Sequence, residues 1–334
     1  MAAVPVPDEA TWLTLREQNV GGSEVASLFY RWLHPDGETV VHHLYEAPPE
    51  GSTLLGCLSP FKTGYRLWQE KSGKLMPDDL SYVERVQAGN FLEPALAEWA
   101  KSKWEWKLRK VRRYCTHGEV GGWGASLDYE VQEKGLPPVE FKNIDALQFR
   151  DKWIADGGEI IMPPLHYVLQ LQHQIGAVGA DHGWVVCCIS GNELQRGRIE
   201  RHQATQERIA AAITAFWQGV HSGVEPTWLA DYDTVAEEYR YGDAALPADL
   251  TSNKELPPLI EEYLELKERM KSEEVVLENL KGRIALCVGD ATKAKAAGYR
   301  LSWPSIERPE KVVPERVQKA MTYRGALTIT PVKE

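Results

Sequence analysis

Apolar residues recur at helical spacing from Ser81 to Trp104, where Val86, Gly89, Glu93, Leu96 and Ala100 fall on one stripe. The same period returns from Pro163 to Ala180, with Leu165, Leu169, Gln172 and Ile175 on one stripe and His166, Gln170 and His173 on another. Between these helices the pattern switches. Residues Gly124 to Asn143 read as two short strands joined by a turn, the second with Val139 and Phe141 on one face and Glu140 and Lys142 on the other. The run GWVVCCIS, Gly183 to Ser190, reads as a buried strand, and a helix from about Glu200 to His221 follows.

Nearer the start, Thr11 to Gln18 predicts a helix carrying Trp12, Leu15 and Arg16. Gly21 and Gly22 allow a tight turn, and Ser23 is placed to cap a helix beginning at Glu24. Residues 30–56 are polar, with three prolines, and predict a long loop or insertion. Ser59 or Thr63 then caps a short helix with Tyr65, Leu67 and Trp68. From Lys101 to Arg113, seven basic residues interleave with Trp104 and Trp106, which predicts a strand or hairpin with a charged outer face. Beyond Glu225 the character changes: Tyr263, Met270, Leu277 and Ile284 stand at heptad spacing, with Leu266 and Leu280 at the other core position. That helix can pair with a partner, fold back or join subunits. The reading is therefore a domain over 1–240 and a C-terminal amphipathic helix with a small appendage over 255–334.

Length and composition change this picture little. The 334 residues, 43% hydrophobic and 26% charged, suit a folded chain with a full core. No apolar run reaches membrane-span length and the N-terminus does not resemble a signal peptide, so a cytoplasmic protein is expected. Five cysteines without C-x-x-C spacing speak against a disulfide framework, a zinc site or an iron–sulfur cluster. A net charge of −10 leaves nucleic-acid binding to a local basic face.

Candidate chemistry concentrates on the strand pair. With Asp128 at the end of the first strand, two carboxylates and the Lys142 ammonium converge, and the Phe141 carbonyl adds an oxygen. Such a set suits magnesium, which takes oxygen ligands and keeps several waters, and which activates water and stabilises phosphoryl charge. A solvated Glu140–Lys142 ion pair is the competing reading of this stretch. Glu93, a carboxylate on an apolar helix stripe beside Gly89, demands a partner: the same metal or a nearby arginine. Amides at the start of the Glu24 helix, with Ser23 and Arg16, can hold a phosphate, and Lys62 and Arg66 can touch a DNA backbone.

The ordered motifs GGSE (Gly21 to Glu24), SPFKT (Ser59 to Thr63), GNFLEP (Gly89 to Pro94), SLD (Ser126 to Asp128), VEFKN (Val139 to Asn143) and YVLQLQ (Tyr167 to Gln172) resemble those of the YqaJ-type viral recombinases, relatives of phage lambda exonuclease within the PD-(D/E)XK nucleases. The resemblance spans roughly residues 10 to 230. It implies an α/β restriction-endonuclease-like core, a central mixed sheet flanked by helices, here with a C-terminal helical, coiled-coil-like extension. It further implies magnesium-dependent 5′ to 3′ digestion of linear double-stranded DNA, with manganese as a substitute, to supply single strands for phage-type recombination in a bacterial host. By resemblance Asp128 and Glu140 are metal ligands with the Phe141 carbonyl, Lys142 the catalytic lysine, Glu93 the helix carboxylate near a second metal, Gln170 (or Gln172) the active-site glutamine, and Arg16 and Ser23 the grip on the 5′ phosphate. A trimeric ring threaded by DNA and a single-strand annealing protein are the implied partners.

Two departures stand out: residues 30–56 separate GGSE from SPFKT, which relatives join closely, and Glu24 replaces the usual aspartate. The competing functions are a PD-(D/E)XK endonuclease or other DNA-processing nuclease, and a non-catalytic DNA-binding protein.

Overall fold

A computed structural model of the chain describes residues 2–241, 249–296 and 299–303. The chain divides into two compact units, Met1–Glu238 and Tyr239–Glu334. The first unit runs β1 (Ala2–Pro5), α1 (Glu9–Glu17), β2 (Phe29–Leu33), β3 (Thr39–His43), β4 (Thr53–Cys57), α2 (Gly64–Lys71), α3 (Glu84–Trp104), β5 (Leu108–Lys110), β6 (Arg113–Thr116), β7 (Gly124–Ser126), β8 (Tyr129–Val131), β9 (Pro138–Ile144), α4 (Ala146–Lys152), β10 (Ile154–Asp156), β11 (Glu159–Met162), α5 (Leu165–Val178), β12 (His182–Ile189), β13 (Glu193–Glu200), α6 (Gln203–Ser222) and α7 (Tyr232–Glu238). The second holds α8 (Leu256–Val288) and a hairpin of β14 (Lys293–Ala296) and β15 (Tyr299–Ser302). The appendage expected beyond 303 lies outside the described residues. No helix among the described residues is long and apolar enough to cross a membrane.

The centre of the first unit is a mixed seven-stranded sheet in the order β10-β11-β13-β12-β9-β8-β5. β9 lies parallel to β12 and antiparallel to β8. Strand alternation then sorts the two faces. Val139 and Phe141 of β9, with Val186 and Cys188 of β12, pack under Leu96, Ala97 and Ala100 of α3. Val185, Cys187 and Ile189 turn the other way, onto Leu171 and Ile175 of α5. The sheet is thus flanked by helices on both faces, the α/β class expected. Burying each such Val or Phe contributes about 1.5–3 kcal/mol, so a register slip, which would invert both faces at once, is strongly disfavoured.

Four local expectations are corrected. Residues 30–56 are not a loop: β3-β2-β4 form an antiparallel sheet, in which Trp32 pairs with Val40, and Trp32 and Val41 pack against the buried cluster that holds Phe29 and Tyr30. The run from Lys101 to Arg113 is not one strand or hairpin; its first residues continue α3, whose good helix formers and apolar contacts carry it to Trp104, and a left-handed Glu105 (φ 56°) ends it. Ser23 caps no helix, since Val25–Leu28 form a single 3₁₀ turn whose preceding residue is Glu24, and the Ser23 side chain is exposed. The expected strand pair from Gly124 to Asn143 is three strands: β7 belongs to the small sheet β1-β6-β7, and the chain crosses into the central sheet at Asp128. Elsewhere the capping signals are read correctly, with Thr63 accepting the Arg66 amide at the start of α2.

Candidate active site

The site is a fork. β8 pairs with β9 only through Tyr129↔Val139 and Glu130↔Pro138, and the two strands then part. Past the last pair, the Phe141 amide donates instead to Asp128 Oδ2 at 3.2 Å. Asp128 therefore sits at the mouth of the fork while β9 carries Glu140 and Lys142 on the α5 face, as the alternation predicts.

Glu140 is buried, 6% exposed, and both its oxygens accept hydrogen bonds. Lys142 Nζ and Gln170 Nε2 each donate to Oε1 at 2.6 Å, and Gln174 Nε2 donates to Oε2 at 2.6 Å. Lys142 Nζ also reaches Gln170 Oε1 at 3.2 Å and stands 4.6 Å over the Tyr167 ring. Burial works to lower the Lys142 pKa, but Glu140 and Tyr167 outweigh it and the ammonium is held above its ordinary value. Asp128 moves the opposite way: burial, then Glu140, then Glu93 push its carboxyl well above the usual carboxylate range, against Lys142 and the Phe141 amide. Asp128 and Glu140 thus repel each other in a partly buried fork, with Glu93 adding to the field from farther off, a charge distribution that a cation would relieve.

The donor chemistry suits a hard divalent cation, with Asp128, Glu140 and the Phe141 carbonyl as the oxygens that would hold it. Glu93 stands apart, paired with Lys110 Nζ at 2.8 Å, so its partner is a lysine rather than the arginine considered from sequence. No group of three His, Cys, Asp or Glu side chains is arranged as a metal cluster among the described residues. A cation here would rest on two carboxylates and retain waters.

The two glutamines are now distinguished. Gln170 faces Glu140, while Gln172 donates to the Glu200 carbonyl and accepts from the His202 amide and from Gln206. Gln174 was missed by sequence reasoning, although its signal was present: it lies one helical turn beyond Gln170 on the same face. The GGSE turn packs against this pair, since a Cβ on Gly22 would stand 3.5 Å from Gln170 Cγ and 3.4 Å from Gln174 Cγ.

Next to that turn lies a buried ion cluster. Arg16 Nη2 meets Glu24 Oε1 at 3.0 Å and Lys71 Nζ meets Glu24 Oε2 at 3.1 Å, while the Gly21 amide donates to Oε2 at 2.9 Å. Burial raises the Glu24 carboxyl, but Lys71, Arg16 and the Gly21 amide together hold it at about 2. Arg16 also lies 4.7 Å over Trp12. Lys62 pairs with Glu70 and Arg66 with Glu70, Asp78 and Glu237, so these cations hold the α2 region together as well as offering charge. The basic run is similarly engaged: five of its seven cations bond internally, Lys101 to Glu98, Lys103 to the Leu194 carbonyl, Lys110 to Glu93, and Arg109 and Arg113 to the fully buried Glu130.

A mixed sheet flanked by helices, with Asp128 at a strand fork and Glu140 and Lys142 on the next strand, defines a class of acid-and-lysine sites. Family comparison points the same way as the motifs: the family model of the YqaJ-like viral recombinase domain matches residues 51–181. No curated protein matches the chain. Among solved structures, the alkaline exonuclease LHK-Exo from Laribacter hongkongensis is similar at 17% identity and a TM-score of 0.46, covering 66% of this chain and 96% of that one. Its complex with dAMP gives 17% and 0.45 over the same shares. SSO0001 gives 15% and 0.32, covering 48% of this chain and 71% of that one.

Proposed function

We propose that this chain is a magnesium-dependent deoxyribonuclease that digests linear double-stranded DNA from its 5′ ends. The observation that carries this reading is the fork itself, where Asp128 and Glu140 meet a charged Lys142 held by Gln170. Magnesium, when bound, supplies Lewis-acid charge to a phosphoryl oxygen and makes water more acidic. Gln170 and Gln174 fix the plane of the Glu140 carboxylate, so its orientation is set before substrate arrives. Lys142, kept protonated, presents its ammonium to the scissile phosphate or to the attacking water. Arg16, paired with Glu24 of the turn whose Gly22 packs on Gln170, receives the terminal 5′ phosphate with Ser23, competing for it with Glu24.

With a net charge of −10, a single chain should hold DNA weakly, so the reading includes a homo-oligomeric, trimeric ring that turns basic faces toward the duplex. Processive digestion would supply single strands to an annealing protein in the bacterial cytoplasm. The test compares linear and closed circular duplex with magnesium, using wild type, Glu140→Ala and Lys142→Ala. Digestion of the linear form alone, lost in both variants while DNA binding remains, supports the proposal. Cutting of closed circles makes the enzyme an endonuclease, and cutting by Glu140→Ala overturns the site. A faster rate on 5′-phosphorylated ends that Arg16→Ala abolishes supports the phosphate grip; equal rates on both ends remove it.

A further inference from the structure

α8 spans 33 residues, about 50 Å at 1.5 Å per residue, and none of its residues is buried. Many of its apolar residues nevertheless form one seam. Leu256, Tyr263, Met270, Leu277 and Ile284 repeat every seven residues, and so do Leu259, Leu266, Glu273, Leu280 and Cys287. Along it Leu259, Met270 and Leu277 are 61%, 69% and 64% exposed, far more than a seam of this length keeps in water unless it is covered.

The charges say what covers it. Glu273 is the one carboxylate in the seam, close to its midpoint. In a parallel, in-register pair it would face its own copy, two like charges at a desolvated position. In an antiparallel pair centred on the helix, each Glu273 meets Met270 of the other copy instead, and the other layers become Leu256 with Cys287, Leu259 with Ile284, Tyr263 with Leu280, and Leu266 with Leu277. The flanking positions then match: Lys267 meets Glu274 and Glu262 meets Arg283, opposite charges in both cases. A single polar seam residue commonly fixes register and orientation in this way.

We infer that α8 pairs antiparallel with α8 of a second copy of this chain, joined at a two-fold axis near Glu273. A two-fold pair cannot lie within one three-fold ring, so α8 joins two chains that no single ring already joins. The inference does not depend on the nuclease reading.

The full chain carries its own probe, because Cys287 is exposed whereas Cys115, Cys187 and Cys188 are buried. Under mild oxidation wild type should stay free of covalent dimer, since antiparallel pairing keeps the two Cys287 thiols at opposite ends. Leu256→Cys should give a disulfide-linked dimer, because each introduced thiol meets Cys287 of the other copy, while within one chain the two lie some 46 Å apart. By light scattering, wild type should have twice the mass of Leu266→Lys/Leu280→Lys. A wild-type dimer through Cys287 would show parallel pairing and overturn the inference. So would equal masses, which would mean that the chain's own tail, the first unit or a different partner covers the seam. Unchanged DNA digestion by Leu266→Lys/Leu280→Lys would leave the nuclease proposal intact either way.

Discussion

Replacing Asp128 by asparagine separates the stability of the fork from its chemistry. Burial, Glu140 and Glu93 raise the Asp128 pKa in the folded chain, so the folded state binds this proton more tightly than the unfolded one. The ionised side chain is therefore destabilising at neutral pH, and the penalty vanishes only as pH falls below the unfolded carboxylate value. Asp128→Asn keeps the shape and an oxygen for the Phe141 amide while deleting the charge. An incompletely compensated carboxylate in such a site costs about 1–3 kcal/mol, and each kcal/mol moves the melting temperature of a unit this size by about 2–4 °C. Asp128→Asn should accordingly melt about 2–12 °C above wild type in EDTA at pH 7. Magnesium should then stabilise wild type by mass action and the variant much less, and cleavage by the variant should be lost. A variant that melts below wild type in EDTA would show that the carboxylate is not repelled. One that gains as much from magnesium as wild type would remove Asp128 from the metal site.

Two further outcomes follow from the hydrogen-bond inventory. Gln174→Leu removes one donor from the buried Glu140 carboxylate, worth about 1.5–3 kcal/mol, so single-turnover cleavage should fall by about 10- to 100-fold with DNA affinity retained; an unchanged rate would leave the orientation of Glu140 to Gln170 and Lys142 alone. Glu24, held at about 2 against an ordinary 4.5, contributes stability that is complete above about pH 4.5 and is lost as pH falls toward 2; urea unfolding at pH 7 and pH 3 should show this loss, on the order of 3 kcal/mol when complete, and a Glu24→Gln variant that loses as much would reassign it.

Much of the first unit was legible because its sheet is covered on both sides by helices with clear periods. Val139 and Phe141 pointing one way and Glu140 and Lys142 the other follow from strand alternation, which packing on α3 and α5 enforces. Residues 30–56 were not legible as a sheet because β2, β3 and β4 are five residues each and mostly half-buried or exposed, and the prolines of the connections between them read as loop. The end of α3 failed for another reason. Trp104 and Trp106 read as alternating strand positions, but they gather with Trp184 around the Arg196 guanidinium, each ring centroid about 5 Å from it, and that long-range contact has no local signature.

Within the site, residue types were easier to read than partners. Sequence placed Asp128, Glu140 and Lys142 together, yet offered Glu93 a metal or an arginine and left Gln170 and Gln172 undivided; the choice depends on which face of α5 meets β9, and Gly22 helps set that by packing beside Gln170 and Gln174. The competing surface ion pair between Glu140 and Lys142 is also present as a contact, but not as a solvated one, because Glu140 is 6% exposed and accepts from two glutamines besides the lysine. A surface pair needs no such support, since water supplies it. Two buried amides committed to one carboxylate instead hold its plane fixed beside Asp128, at the cost of keeping like charges close together in a rigid sheet. That cost explains the site better as a seat for positive charge than as a structural ion pair, which would be more stable without Asp128.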